Sequence, residues 1–525
     1  MGKERSKATE RKAGVLLNYM QQAVSVLSGI LYTPVMIRLL GGDGEHSEYG
    51  LYNTVINFIG ILMLLNMGFS NSYIRFYSKF KAKNEYNRIN SFNALFFIVF
   101  AIIAAIFLAV GLFFSFNLKF VFDTGLTSDE YRRAQIMMIM LTVSTALSFT
   151  LTVFGCYISA NQKFIYQRSM ALLFSVLNIV ANLVVLFAGY GSVGIVFVTL
   201  LSNILSQAIC IYYAFKYLNM KFDFRHVEKP LFKEVFAFSG LIAINLIVDK
   251  INSGIDNLLL ARMWNTATVQ IYAIGASLNG HFTSFSVAIS GPFVPRVHEL
   301  VNAYKQDSKE QRKVLTEFFV KVGRVQYLLL ALIASGVVFF GDRFIYFWAG
   351  EKAYNKDSYY IALIMLLPSI ISLSQNIGIE IQRAMNRHHY RSYLYGLTAL
   401  INLVSSYFMC KVWGGIGCAI GTGGACIIAT VILMNIVYDK KINIEIKEYW
   451  KNICRMTVGM LPAFIVGALI MHFVVMDSIV KLGAFIIIYS LVYIADIYIL
   501  SMNSYEKGLV TGAVKKITGK VIKKH

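Results

Sequence analysis

Four polar side chains recur inside one apolar stretch of this 525-residue sequence. Asn245, Asp249, Asn252 and Asp256 follow at intervals of four, three and four, the spacing that lines one stripe of an α-helix. Lys250 sits one residue round from that stripe, and Arg262 closes the stretch. Ionisable groups are costly in hydrocarbon, so in a spanning helix they face a cavity or pair with a neighbour. Two roles are therefore open. The stripe forms a cavity wall that binds a coupling cation, H+ or Na+, or polar groups of a substrate. Otherwise it packs against another helix, with Lys250 neutralising an aspartate or reaching the interface.

Other polar positions are sparser. Asn18 and Gln22 lead a stripe with Ser25 and Gly29 in the first apolar stretch, and Asn53 and Asn57 open the second. Uncharged stripes of this kind serve a cavity or ordinary helix contacts equally well. Arg75, Arg296, Lys321 and Arg324 stand near the ends of apolar stretches, where a guanidinium or ammonium meets a diphosphate or anchors the interface. Glu317 precedes Lys321 by one turn, a spacing that permits a local pair. Glu380, Gln382 and Arg383 read as interfacial, Asp496 as isolated, and His281 and His472 as lone histidines within spans.

The elements that must hold these residues are membrane helices. Hydrophobic residues make up 57% of the chain and charged ones only 15%, far from the balance of a soluble domain. About fourteen apolar stretches reach the roughly 20 residues that cross a bilayer core. They run continuously rather than alternating, which predicts helices and excludes a barrel. The fold class is an all-α polytopic membrane protein. Most of the 49 Lys and Arg fall in alternate connections together with both tails, so both termini are expected to be cytoplasmic. The net charge of +21 follows from this asymmetry and from attraction to membrane lipids, without nucleic acid. No connection is long enough to fold as a catalytic domain, so no enzyme is expected. The six cysteines lack metal-type spacing, and neither a metal site nor a cofactor is expected.

A repeat organises the helices. Gly191-Ser192-Val193-Gly194 through Thr199 returns as Gly414-Gly415-Ile416-Gly417 through Thr422. Six spans separate the copies, an even number, so the halves share one topology and are parallel. Gly50 through Arg75 likewise lines up with Gln270 through Arg296. This predicts a basic tail over 1–12, a lobe of six helices over 13–230 and a second over 231–441. The last two helices and a basic tail then occupy 442–525. Prolines at 34, 292, 295, 368 and 462 suit bending helices and also static bundles.

Glu48-Tyr49-Gly50-Leu51-Tyr52, Leu64 through Ser72, Arg75-Phe76-Tyr77-Ser78 and Asp256-Asn257-Leu258-Leu259-Leu260 carry a family resemblance. With the Gly-x-x-Gly openings of the sixth and twelfth spans, they resemble the polysaccharide-exporter branch of the multidrug/oligosaccharidyl-lipid/polysaccharide flippase superfamily. The resemblance implies two six-helix lobes that move a polyprenyl-diphosphate-linked oligosaccharide from the inner to the outer leaflet of a bacterial cell membrane, by alternating access. A diphosphate and several sugars cannot cross hydrocarbon unaided, whereas the polyprenyl tail can stay in lipid. Lipid II flippases of the superfamily carry arginines within the first two helices, where this chain has only Arg38 and Arg75, near span ends. Its multidrug exporters usually have twelve spans, many with an acidic cation site in the first, and this first span has no Asp or Glu. Both remain alternatives, and a membrane glycosyltransferase or polymerase is the alternative from another class.

Overall fold

The computed structural model describes residues 17, 20–21, 24, 27–42, 44–66, 68–122, 126–226, 229–508 and 511–512, without the side chains of 229–230, 237–238, 241–242, 244–245 and 253. Among them there is no β-strand. The helices are α1 (Leu27–Leu40), α2 (Glu48–Leu62), α3 (Phe69–Ala82), α4 (Tyr86–Phe116), α5 (Ser128–Ala160), α6 (Phe164–Phe187), α7 (Gly191–Lys216), α8 (Lys229–Met263) and α9 (Thr266–Ser290). They continue with α10 (Val294–Ala303), α11 (Lys309–Ala349), α12 (Lys356–Ser374), α13 (Asn376–Ala384), α14 (His389–Ala425), α15 (Met434–Lys440), α16 (Ile446–Gly459), α17 (Leu461–Phe473) and α18 (Ile479–Asp496). Nine described helical stretches are long and apolar enough to cross a membrane, or ten when the bent pair α16–α17 counts as one. The all-α membrane architecture is thus as the sequence predicts. Helices α8 and α9, 35 and 25 residues long, are outside the nine; α8 carries the polar stripe.

Backbone contacts divide the chain into two compact units. The first extends to Ala273 and includes Tyr407–Gly415; the second holds Ile274–Ser406 and the chain from Ile416 onward. Helix α8 packs along α2 and α3, with a buried Ser72 Oγ to Ser239 Oγ hydrogen bond of 2.6 Å tying α3 to α8. The first unit's core is aromatic, with Tyr73 meeting Phe92 and Phe96 at ring-centroid distances of 5.2 and 5.1 Å. In the second, Phe319 packs on Tyr438 and Tyr449 at 5.4 and 5.3 Å.

The two repeat copies share a backbone device. Gly191 opens α7 at φ +60°, and Gly414 sits at φ +54°, ψ −127° where the chain breaks α14. Both lie in the left-handed region that L side chains rarely adopt, so glycine is required at each. The break at Gly414 interrupts one helical run of 52 residues, His389–Lys440.

Candidate functional site

The densest polar constellation of the first unit lies where α2 and α3 pack on α8. The second span is not one helix. Helix α2 ends at Leu62, a single 3-10 turn covers Met63–Asn66, and α3 starts after Gly68 at φ +67°. The turn packs against α8 and α4, and Asn66 Oδ1 is buried without a partner. Broken helices in membrane proteins are tolerated where they are covered by protein or line a cavity, because their backbone groups need partners. The sequence carried this break in Asn66-Met67-Gly68, although its apolar run alone reads as continuous helix.

Lys250 occupies a seat cut by two glycines. A Cβ built on Gly60 of α2 would stand 2.6 Å from the Lys250 Nζ, and one on Gly254 of α8 would stand 3.2 Å from it. The same Gly254 position is 3.2 Å from Asn57 Oδ1. Asn57 and Gly60 are three residues apart on α2, and Lys250 and Gly254 four apart on α8, so each pair shares a helix face. The ammonium thus lies against the bare backbone of two glycines. Sequence reading placed Lys250 and Asn57 on separate helices and had no means of joining them. It also overlooked Gly60 and Gly254.

The stripe itself is divided. Asp256 is 5% exposed and accepts a 2.5 Å hydrogen bond from the Tyr272 hydroxyl at its Oδ2, a contact that joins α8 to the start of α9. Asn252 has both amide atoms buried and unpartnered, as is Asn257 Oδ1 one turn on. Buried polar atoms without partners are uncommon in native structures and indicate water, an ion or a ligand. Asp249 is exposed. One helical face therefore holds a structural carboxylate, an open amide and an exposed carboxylate. Asn53 and Asn57 each donate their Nδ2 to the carbonyl four residues back, Tyr49 and Asn53, at 2.8 and 2.9 Å. Asn18 and Gln22 lie outside the described residues, as does the side chain of Asn245.

The basic residues expected to contact a diphosphate separate on inspection. Arg324 is corrected outright. It is 5% exposed, and its Nε and Nη2 form a bidentate pair with Glu506 at 2.6 and 2.9 Å. Nη2 also donates to the Ser501 carbonyl and Nη1 to Asn452 Oδ1, each at 2.9 Å. A fork used this fully is a structural clamp joining α11 to α16 and the segment after α18. Lys321 lies on the same helix with its Nζ 3.6 Å from the centre of the Tyr505 ring, a cation–π contact. Arg296 is exposed and donates to Glu299 at 2.7 Å. Arg75 is exposed on α3. Arg75 thus belongs to the first unit, and Arg296, Lys321 and Arg324 to the second. Among the described residues no group of His, Cys, Asp and Glu could hold a metal ion.

An all-α bundle with a broken second span and a cationic seat against α8 belongs to a recognisable class. The chain has the fold of the MOP flippase superfamily: the structure of the lipid II flippase MurJ in its inward closed conformation matches 92% of this chain and 98% of its own, with a TM-score of 0.69 and 15% identity. The Vibrio cholerae MATE transporter VcmN matches 84% of this chain and 99% of its own, TM-score 0.56 and 14% identity. A MOP superfamily transporter from Pyrococcus furiosus matches 82% and 97%, TM-score 0.52 and 16% identity. Residues 12–301, more than half the chain, match the model of the polysaccharide biosynthesis protein family, and the chain belongs to that family. Among the curated proteins, none matches the sequence. The molecule is a multi-span membrane protein.

Proposed function

We propose that the protein flips a polyprenyl-diphosphate-linked oligosaccharide, the repeat unit of a cell-surface polysaccharide, from the inner to the outer leaflet of a bacterial cell membrane. The observation that carries this reading is the seated ammonium of Lys250. A cation held against two glycine backbones within a membrane helix pair gives a diphosphate a point charge in a low-dielectric setting, where Coulomb attraction far exceeds its value in water. Membership in a polysaccharide biosynthesis family supports the glycan as the cargo. Amides such as Asn252 and Asn57 suit hydroxyls and phosphate oxygens, while the polyprenyl tail stays in lipid. Access to the site alternates between leaflets, with both termini cytoplasmic and H+ or Na+ as the coupling ion, for which Asp249 is the exposed carboxylate on α8. The protein on this reading transports and does not catalyse a covalent step. Lipid II and multidrug substrates are the competing cargoes.

The test is reconstitution of the purified protein into vesicles carrying fluorescent or radiolabelled polyprenyl-diphosphate glycans, with leaflet exchange measured under imposed H+ and Na+ gradients. Acceleration over empty vesicles is expected, and Lys250→Ala abolishes most of it. Exchange no faster than in empty vesicles, across a range of glycans, overturns the proposal.

A further inference from the structure

A cavity in the first unit has a chemistry distinct from that of Lys250. It encloses about 320 Å³ and is lined by Glu45, His46, Trp264, Asn265, Thr266 and an apolar wall of Phe122, Leu126, Ala261 and Met263. Ligand sites are concavities of a few hundred Å³ with an apolar lining and a few placed polar groups. Trp264 is 38% exposed, yet its indole is fixed: Nε1 donates 2.8 Å to the Cys410 carbonyl. Gly414 packs against the indole, its would-be Cβ 3.4 Å from Cε2. The bare backbone at Gly414 thus supports an aromatic platform.

The polar rim is equally fixed. Glu130, 9% exposed, caps α5 through Thr127 and accepts from Thr266 Oγ1 at 3.1 Å, while its other oxygen holds His46 Nδ1 at 2.8 Å. That leaves His46 Nε2 on the far side of the ring. Asn265 spends its Oδ1 on the Thr268 N–H and hydroxyl, at 2.9 and 2.8 Å, with the hydrogens of Nδ2 as its remaining donors. The connection before α2 is pinned as well: Ser47 N donates to Thr266 Oγ1 at 2.8 Å, and Gly42 N to Gln270 Oε1 at 3.1 Å. Glu45 is exposed and takes no part in this framework.

We infer that this cavity is a monosaccharide-binding site, in which the indole of Trp264 stacks on the C–H face of a sugar ring and Glu45, His46 and Asn265 address its hydroxyls. A pyranose presents an apolar face and a girdle of hydroxyls, and a fixed aromatic ring beside a carboxylate, an imidazole and an amide complements both. A rim already ordered before binding loses little entropy on taking up a ligand. The inference rests on the flippase reading above for its biological setting, where connections 40–47 and 261–266 lie on the outer side and the site would receive the glycan end of the cargo.

The experiment uses the full chain in lipid nanodiscs, titrated with methyl glycosides of a hexose, an N-acetylhexosamine, a 6-deoxyhexose and a hexuronic acid and followed by saturation-transfer NMR. At least one glycoside binds; Trp264→Ala weakens it about tenfold and Glu45→Ala about threefold, as expected for one stacked ring and one hydrogen bond. Should Trp264→Ala fail to fold, Glu45→Ala and Glu45→Gln, outside the fixed framework, decide the matter. Binding of none of the four, or equal affinity in parent and Glu45 variants, overturns the inference. Leaflet exchange of a lipid-linked glycan without glycoside binding removes this site and leaves the flippase reading intact. Glycoside binding lost in the variants, in a protein that exchanges no lipid-linked glycan, supports the site and removes that reading.

Discussion

Lys250 and Arg324 are both basic residues within helices of a membrane bundle, and they have opposite surroundings. Arg324, in the second unit, is enclosed by Glu506, Asn452 and the Ser501 carbonyl, which use its fork in full. Lys250, in the first, lies against two glycines that leave room for its ammonium. A buried charge paired in good geometry fixes structure, and removing one partner strands the other. The same residue class therefore marks a clamp in one unit and a candidate binding site in the other.

The sharpest way to break the contrast is to truncate each residue. Arg324→Ala strands the Glu506 carboxylate, 3% exposed, and should cost about 3–5 kcal/mol, read as a large fall in melting temperature in detergent. Lys250→Ala should melt close to the parent while leaflet exchange falls about tenfold or more, roughly 1.4 kcal/mol or above. An Arg324→Ala protein as stable as the parent would remove the clamp from the comparison. Next in size is Asn252→Leu. Both Asn252 amide atoms are buried and unpartnered, so the apolar replacement should hold or raise the melting temperature by relieving a desolvation cost. Exchange should drop at the same time; a variant with lower stability and full exchange would make Asn252 a packing residue.

A smaller effect grades the seat itself. A methyl on Gly60 meets the ammonium at 2.6 Å and one on Gly254 at 3.2 Å, so Gly60→Ala should reduce exchange more than Gly254→Ala, and both less than Lys250→Ala. The reverse order would mean that the ammonium does not work from this position. The smallest effect lies away from the membrane core. Asp307 accepts from Arg387 at 3.0 and 2.6 Å and from Asn443 at 2.8 Å. The Arg387 guanidinium holds its carboxyl below the usual carboxylate range. A depressed folded pKa gives stability that is present above the unfolded value, about 3.9, and is lost as pH falls through the folded value. Parent and Asp307→Asn melting temperatures should therefore converge as pH is lowered from neutral to below about 4; a constant gap would show that the pair contributes nothing through ionisation.

Much of the fold was legible because its determinants are local. Continuous apolar runs specify spanning helices, and the Gly191 and Gly414 repeat marks two positions that both adopt positive φ. The polar residues of α8 were legible by helical spacing. Their grouping was not, since Asp256 pairs with Tyr272 and Asp249 lies exposed, although both belong to one stripe. Equal spacing fixes direction on a helix but not what stands opposite. The neighbours of α8 were not legible for a similar reason: charge and proline in a connection do not reveal that α8 packs on α2 and α3.

The sequence by itself determined the all-α membrane class, the order of spans, the repeat and the candidate residues, because hydrophobic length and helical periodicity act within a few turns. Only the tertiary structure decided which groups surround each charge. Arg324 meets Glu506 across 182 residues of sequence, and Lys250 meets Gly60 from another helix. The energy of a buried charge depends on the atoms within a few ångströms of it, and in a bundle those atoms come from distant stretches of the chain.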